Sequence, residues 1–379
     1  MARIAFIDVT VTVMYGGLQT AVWRFAETLS RLGHEVHVYG GIGGIAPPAD
    51  CAGVRVHSFP FRPRERVLDL GSRFQRIVER ATFARHARTS VIAAEHDWVI
   101  LDKPFDFFWP WFMPKNSKTR FAFTSGGTDF FAGDRRLVRR VDVLLACSHF
   151  NAWQIRSHYK QPVGVVHYGV NTARFAPRDA AAMRARLGVS ADIALFVFAG
   201  RLVGWKGMTV AVRALTEPVL RGVPVKLLIV GDGPERSQLE ALARELNVTA
   251  HVIFHDSVPH DSLPDYYAAA DVGVFPSIGD EAFGITIAEA MSCAKPVIGG
   301  YVGGIPEVVG NEESCGLLVP PGDSAALAQA MRRLADDAAL RTRLGIAART
   351  RIERLYTWDM SAQRLLAALG LKSDATHVP

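Results

Sequence analysis

The chain opens with an apolar run, RIAFIDV, that breaks into a glycine-bearing turn, MYGGLQT (Met14–Thr20). Beyond the turn, Val22, Phe25, Ala26, Leu29 and Leu32 recur at helical spacing. Gly33 predicts the end of that helix, and HEVHVYG alternates as a second strand. Strand, helix and strand in this order form a β-α-β unit, which predicts a parallel sheet. Short apolar runs at Trp98–Leu101, Arg120–Thr124, Val143–Ser148 and Val163–Tyr168 predict more of its strands.

The alternation then starts again. Ile193–Ala199, Lys226–Val230, His251–Phe254, Asp271–Phe275 and Lys295–Ile298 read as strands. Helical patterns separate them at Met208–Leu220, Arg236–Leu246, Leu263–Ala270 and Ile285–Ser292. A restart after NTARFAPRD predicts two doubly wound α/β domains, with a linker around Pro177. The expected division is a first domain over 1–172, completed by a last helix within 356–379, and a second domain over 173–355. Ligands of such sheets bind beyond the carboxyl ends of the strands.

A length of 379 residues suits two domains of ordinary size. Charge divides between them. Residues 1–175 hold 23 Lys and Arg against 14 Asp and Glu, a net of +9, and the remainder holds 20 against 23, a net of −3. A basic first half suits an anionic partner, such as a phosphorylated substrate or a membrane surface. No recognition motif or run of interleaved basic and aromatic residues points to nucleic acid, which is set aside. No apolar run approaches the roughly 20 residues that span a bilayer, and no signal-peptide cleavage pattern follows the first strand. The cysteines (Cys51, Cys147, Cys293, Cys315) are scattered without metal-ligand or redox spacing, so reduced thiols in a cytoplasmic protein are expected. Peripheral contact with the inner face of the cytoplasmic membrane, through the basic first domain, stays open.

Chemistry gathers at the strand ends of the second domain. FAGRLVGWKG places Arg201 and Lys206 on a strand-to-helix loop, where a guanidinium fork and a point charge fit a diphosphate. VGDGP is a glycine turn that lets backbone approach a ligand. In FPSIGDEAFGITIAEAM, free N–H groups near Gly284, Ile285 and Thr286 would make an anion site at a helix N-terminus. Glu289, a turn further in, would accept from ribose hydroxyls, and Glu281 from a sugar hydroxyl. Alternatively Glu289 faces solvent while Ile285, Ile287 and Ala288 pack. Each element alone is ordinary loop chemistry; all of them on one sheet edge are hard to explain as packing.

These segments resemble the retaining glycosyltransferases of family 4. The family's E-x7-E motif is met by Glu281 and Glu289, and its G-R-L-x-x-x-K-G segment by Gly200, Arg201, Leu202, Lys206 and Gly207. DVGVFPS, AKPVIGG, GGIPEVV, GLLVPPGD and the N-terminal Gly-Gly helix followed by GHEVHVY are similar to the family as well. The resemblance implies the GT-B fold: two Rossmann-like domains facing across a cleft, with a C-terminal helix crossing back to the first. It implies a nucleoside diphosphate sugar, UDP- or GDP-linked, as donor, with no cofactor and no metal. Arg201 and Lys206 would bind the diphosphate, Glu289 the ribose and Glu281 the transferred sugar. Backbone N–H groups of Phe283, Gly284, Ile285 and Thr286 would contact phosphate and sugar, and Gly16 and Gly17 would close on the diphosphate. The acceptor would be a sugar, a lipid-linked molecule or a small molecule, and the product a polysaccharide, glycolipid or other glycoconjugate.

The sequence departs from the family at one point. Many members carry H-G-x-D at the end of a first-domain strand; here the stretch is TSGGTD, with Gly126 in place of the histidine. Asp129 then remains as the polar acceptor-side candidate, with a turn-forming role as its alternative. A second functional reading follows from the same departure, a sugar-nucleotide-binding subunit without catalysis. A nicotinamide dehydrogenase would also suit the fold, but the first β-α turn lacks G-x-G-x-x-G. The aromatic stretch Phe105–Lys115 reads as packing, because its prolines preclude an amphipathic helix; an acceptor groove or a membrane interface is its alternative. The arginine-rich stretch Arg62–Arg88 reads as a solvated face, with a lipid contact as its alternative.

Overall fold

The computed structural model describes residues 1–14, 16–310 and 313–372. It divides into two units, one made of Met1–Tyr168 with the segment from Trp358 onward, the other of Gly169–Thr357. The division thus falls at 168/169 and 357/358, where the sequence suggests 172/173 and 355/356. The last part of the expected C-terminal segment, 373–379, lies outside the described residues, as does Tyr15 of the glycine turn.

The first unit holds seven strands: β1 (Arg3–Ile7), β2 (Glu35–Gly41), β3 (Arg55–Phe59), β4 (Trp98–Leu101), β5 (Arg120–Ser125), β6 (Val143–Ala146) and β7 (Gly164–Val165). Their order across the sheet is β3-β2-β1-β4-β5-β6-β7, and every pairing is parallel. β3 is an edge strand with a mixed, half-exposed pattern, which explains why its sequence carries no clear strand signal. Inner strands such as β4 are buried on both faces and read as unbroken apolar runs. Phe83, Ala84, Ala87 and Val91 of the helix Ser72–Ala93 join this core with Phe107 and Trp109. The aromatic stretch is therefore largely packing. Its helix is only Trp109–Phe112, with Pro110 tolerated in the first turn where no intrahelical donor is needed.

The second unit holds β8 (Ala194–Ala199), β9 (Val225–Val230), β10 (Val252–His255), β11 (Val272–Phe275), β12 (Val297–Gly300) and β13 (Gly316–Val319). Their order is β10-β9-β8-β11-β12-β13, again all parallel. Two helices absent from the sequence reading, Ser324–Asp336 and Ala338–Leu355, follow β13. Asp323 and Asp337 cap them by accepting from Ala326 and Leu340 N–H.

The chain then returns to the first unit. The helix Trp358–Ala368 packs on the helix Gly17–Arg31, with Phe25 edge-on to Trp358 at 5.3 Å and Arg31 paired to Asp359. All four cysteines are buried and free, and burial pushes the Cys51 and Cys293 thiols up to about 12. No helix among the described residues is long and apolar enough to cross a membrane.

Candidate functional site

In each sheet the chain reverses its direction of winding between two central strands, β1 and β4 in the first, β8 and β11 in the second. Loops leaving such a pair diverge and leave room at the strand ends. The loop after β8 carries Arg201 and Lys206, and the loop after β11 carries Glu281. Backbone bonds tie these loops together: Ile278 N–H donates to the Trp205 carbonyl at 2.8 Å, and Gly304 N–H to the Glu281 carbonyl at 2.7 Å. The approach is close enough to demand glycine. A Cβ on Gly207, which sits at φ +71°, would lie 1.9 Å from the Pro276 carbonyl oxygen. One on Gly303 would lie 2.2 Å from that of Glu281.

The result is a direct ion pair between Lys206 Nζ and Glu281 Oε2, with both side chains mostly buried. Lys206 also stands over the Trp205 ring at 4.4 Å. Sequence reasoning assigned the two residues to different parts of a ligand and did not foresee that they hold each other. Arg201 is exposed and makes no ion pair among the described residues.

Gly284, at φ +92°, turns the chain into the helix Ile285–Ser292 without a side-chain cap. Among the described residues, the N–H groups of Ile285 and Thr286 make no backbone bond, so donors stand open at this N-terminus. Phe283 is buried edge-on to Tyr356 at 5.6 Å. Glu289 is only 2% exposed, which overturns the solvent-facing alternative. One of its oxygens meets His260 Nε2 at 2.6 Å, and the other, Oε2, has no hydrogen bond among the described residues. A buried carboxylate oxygen left in that state retains strong capacity to accept from a ligand hydroxyl. His260 was not singled out in the sequence; a lone histidine in a loop carries no signal until the fold sets it on Glu289.

The first unit's strand ends are built differently. Asp8 and Asp102 follow β1 and β4, whose last paired residues are Ile7 and Leu101, so the two acids stand side by side. Asp8 accepts from Thr10 and from Gln19 Nε2 at 3.2 Å, and Thr124 donates to Asp102. Arg80, wholly buried, lies 3.5 Å from Asp8 and 3.4 Å from Asp106. Burial pushes the Asp106 carboxyl up to about 7, against the opposing pull of Arg80. It holds Asp102 well above the carboxylate range too, despite the Thr124 bond. This cluster is legible only in part from sequence, since Arg80 sits within a stretch read as solvated.

Gly16 precedes the first helix in extended backbone and Gly17 opens it. A Cβ on Gly16 would lie 2.5 Å from Gln19 Oε1, on the buried amide whose Nε2 donates to Asp8 and Thr10. Asp129 is engaged by Lys103 at 2.7 Å and Arg76 at 2.8 Å. Burial would raise its carboxyl, but these two cations outweigh that and hold it below the usual range. A Cβ on Gly126 would stand 2.6 Å from the Tyr168 hydroxyl oxygen and 3.2 Å from Leu18, so Tyr168 occupies the space a side chain there would need.

Comparison with known proteins follows the two units. The model of Glycosyltransferase Family 4 matches residues 15–174, and that of Glycosyl transferases group 1 matches residues 179–351. A D-inositol 3-phosphate glycosyltransferase of Streptomyces bingchenggensis is 38% identical over 245 residues, 61% of this chain and 53% of that protein. The chain thus spans about half the length of the first such relatives. A GDP-mannose-dependent alpha-(1-6)-phosphatidylinositol monomannoside mannosyltransferase of Mycolicibacterium smegmatis is 29% identical over 95% of this chain and 96% of its own. Among solved structures, sucrose-phosphate synthase from Thermosynechococcus elongatus superposes with a TM-score of 0.81 at 24% identity, covering 96% of this chain and 97% of its own. Anabaena HepE in complex with UDP and glucose superposes with a TM-score of 0.79 at 21% identity, covering 98% and 100%. With one model on each unit and the same double α/β fold along the whole length, this chain belongs to the family 4 glycosyltransferases and has their GT-B fold.

Proposed function

We propose that this chain is a retaining glycosyltransferase that moves a sugar from a nucleoside diphosphate sugar to an acceptor hydroxyl. The observation that carries this reading is the second sheet's switch point, where Arg201, the Lys206–Glu281 pair, a bare helix N-terminus and the buried Glu289 oxygen converge. The GDP-mannose-dependent relative and the UDP-bound neighbour support a nucleotide sugar as donor.

In this reading the ribose donates to Glu289 Oε2, while His260 keeps the other oxygen engaged. Arg201 and the N–H groups of Phe283 to Thr286 take the diphosphate. The diphosphate competes with Glu281 for Lys206. Once Lys206 turns to the phosphate, the freed Glu281 carboxylate accepts from a hydroxyl of the sugar. Charge on the leaving diphosphate is then met by two cations, which act most strongly as the bond breaks. The bond from the anomeric carbon to phosphate oxygen breaks and the acceptor oxygen bonds to that carbon on the same face. The acceptor proton passes to the leaving phosphate oxygen, so no protein base is needed at position 126, and no metal is required for charge.

A sugar- or lipid-linked acceptor, in the synthesis of a glycoconjugate, fits the phosphatidylinositol-directed relative. The competing reading, a binding subunit without catalysis, draws on the side-chain-free Gly126 and the Tyr168 hydroxyl that fills its surroundings. Release of nucleoside diphosphate separates the two. The purified chain is incubated with UDP- and GDP-sugars, without acceptor and with inositol phosphate or a lipid-linked acceptor. Slow release of the diphosphate from one donor is expected. A thermal shift with a donor but no release from any donor supports the binding subunit instead.

A further inference from the structure

The helix Ser72–Ala93 and the segment leading into it hold apolar side chains in water. Leu68, Leu70, Phe74 and Ile77 are 74%, 68%, 39% and 40% exposed. Single exposed apolar side chains are ordinary, but four within residues 68–77 make a patch. The helix has already used one apolar face for folding, through Phe83, Ala84, Ala87 and Val91. The exposed side chains are a second feature of its surface. At about 100° per residue, Phe74, Ile77, Ala81, Arg85 and Arg88 fall on one stripe, apolar at the start of the helix and basic further on. All five are exposed.

The arginines here sort into two kinds. Arg64, Arg76 and Arg80 are held by Glu79, by Asp129, and by Asp8 with Asp106. Arg62, Arg66, Arg73, Arg85 and Arg88 are exposed and make no ion pair among the described residues. Glu65 and Asp69 are the exposed acids of the same stretch, so cations dominate its surface. An apolar patch bordered by unpaired guanidinium groups, in the half of the chain with a net charge of +9 (23 Lys and Arg against 14 Asp and Glu over residues 1–175), is complementary to one kind of partner.

We propose that Leu68–Arg88 is a peripheral docking face for a bilayer that carries anionic lipids. Leu68, Leu70, Phe74 and Ile77 enter the boundary between headgroups and acyl chains, and the free arginines meet lipid phosphates with their stems laid along the apolar layer. A phosphate-only attraction would leave the four apolar side chains without a role. The proposal does not depend on sugar transfer, and its test reads no activity.

The full chain is sedimented with vesicles of phosphatidylcholine and with vesicles of phosphatidylcholine and phosphatidylglycerol in equal parts. Binding to the anionic vesicles is expected to exceed that to neutral ones by about tenfold and to weaken as salt rises. Leu68→Ser with Phe74→Ser should lower binding to anionic vesicles about tenfold, and so should Arg73→Glu with Arg85→Glu. Ile346→Ser, at an exposed apolar position of the second unit, should leave it unchanged. All variants lie on the surface, and a circular dichroism melt checks that each is folded. The proposal is overturned if the wild type does not sediment with anionic vesicles. It is equally overturned if the Leu68/Phe74 variant binds them as well as wild type, which would leave plain charge attraction.

Discussion

The six strands of the second sheet run in the same order as the first six of the first sheet, yet the two switch points carry opposite kinds of charge arrangement. At the first, Arg80 is enclosed with Asp8 and Asp106, and Asp102 and Thr124 complete a cluster that is almost wholly buried. At the second, Lys206 and Glu281 are partly exposed, Arg201 reaches water, and the buried Glu289 has an oxygen to offer. A shared switch point therefore fixes where polar groups collect but not what they do. Buried pairs such as Arg80 with its acids cost desolvation and hold structure. Groups at the rim keep the freedom to exchange one partner for a ligand.

The largest expected effect tests the first half of that contrast. Arg80→Ala leaves buried acids without their cation and should cost about 3–5 kcal/mol of stability. Chemical denaturation measures it, and titration with a nucleoside diphosphate should show affinity unchanged in the protein that remains folded. A variant as stable as wild type would dissolve the distinction between the two switch points.

Lys206→Ala tests the second half. Turnover should fall about a hundredfold or more, near 2.7 kcal/mol, and the melting temperature should fall less than in Arg80→Ala, because the Glu281 left unpaired is partly exposed. Lys206→Arg should recover only part, because the fork does not place its charge at the same point. Wild-type turnover in the alanine variant would remove Lys206 from the mechanism.

A smaller effect separates the two glutamates. Glu289→Ala should weaken nucleoside diphosphate binding by roughly ten- to a hundredfold, the scale of hydrogen bonds to a charged group. Glu281→Ala should lower turnover more than affinity. Calorimetry decides the matter: equal nucleotide affinity in wild type and both variants would take the ribose away from Glu289.

The smallest effect is a dependence on pH. In the unfolded chain Asp106 ionises near pH 4, whereas in the fold it keeps its proton up to about 7. Between those values the folded chain binds more protons than the unfolded one. This contribution to stability is thus complete below about pH 4 and is lost as pH rises through about 7. The melting temperature should fall between pH 5 and pH 8 more steeply in wild type than in Asp106→Asn. Matching slopes would show that Asp106 carries no such proton.

Much of this was legible along the chain. The helix Ile285–Ser292 and strand Trp98–Leu101 occur where their patterns predict, because each is long or buried enough for local periodicity to mark it. β3 escaped notice because an edge strand is wet on most of its surface, and the helices Ser324–Asp336 and Ala338–Leu355 were not singled out. The order of Arg201, Lys206, Glu281 and Glu289 along the second half was plain, as was the glycine that opens their helix.

What the sequence determined by itself is therefore local: two runs of β-α alternation, the family motifs and the residue types at the strand ends. Only the tertiary structure decided the pairings. Lys206 meets Glu281 across 75 positions, Arg80 meets Asp8 across 72, and His260 meets Glu289 across 29. Strand order in the sheet, not spacing in the chain, brings such residues within reach. Burial then turns proximity into consequence, because a charge out of water must find a partner or hold a proton.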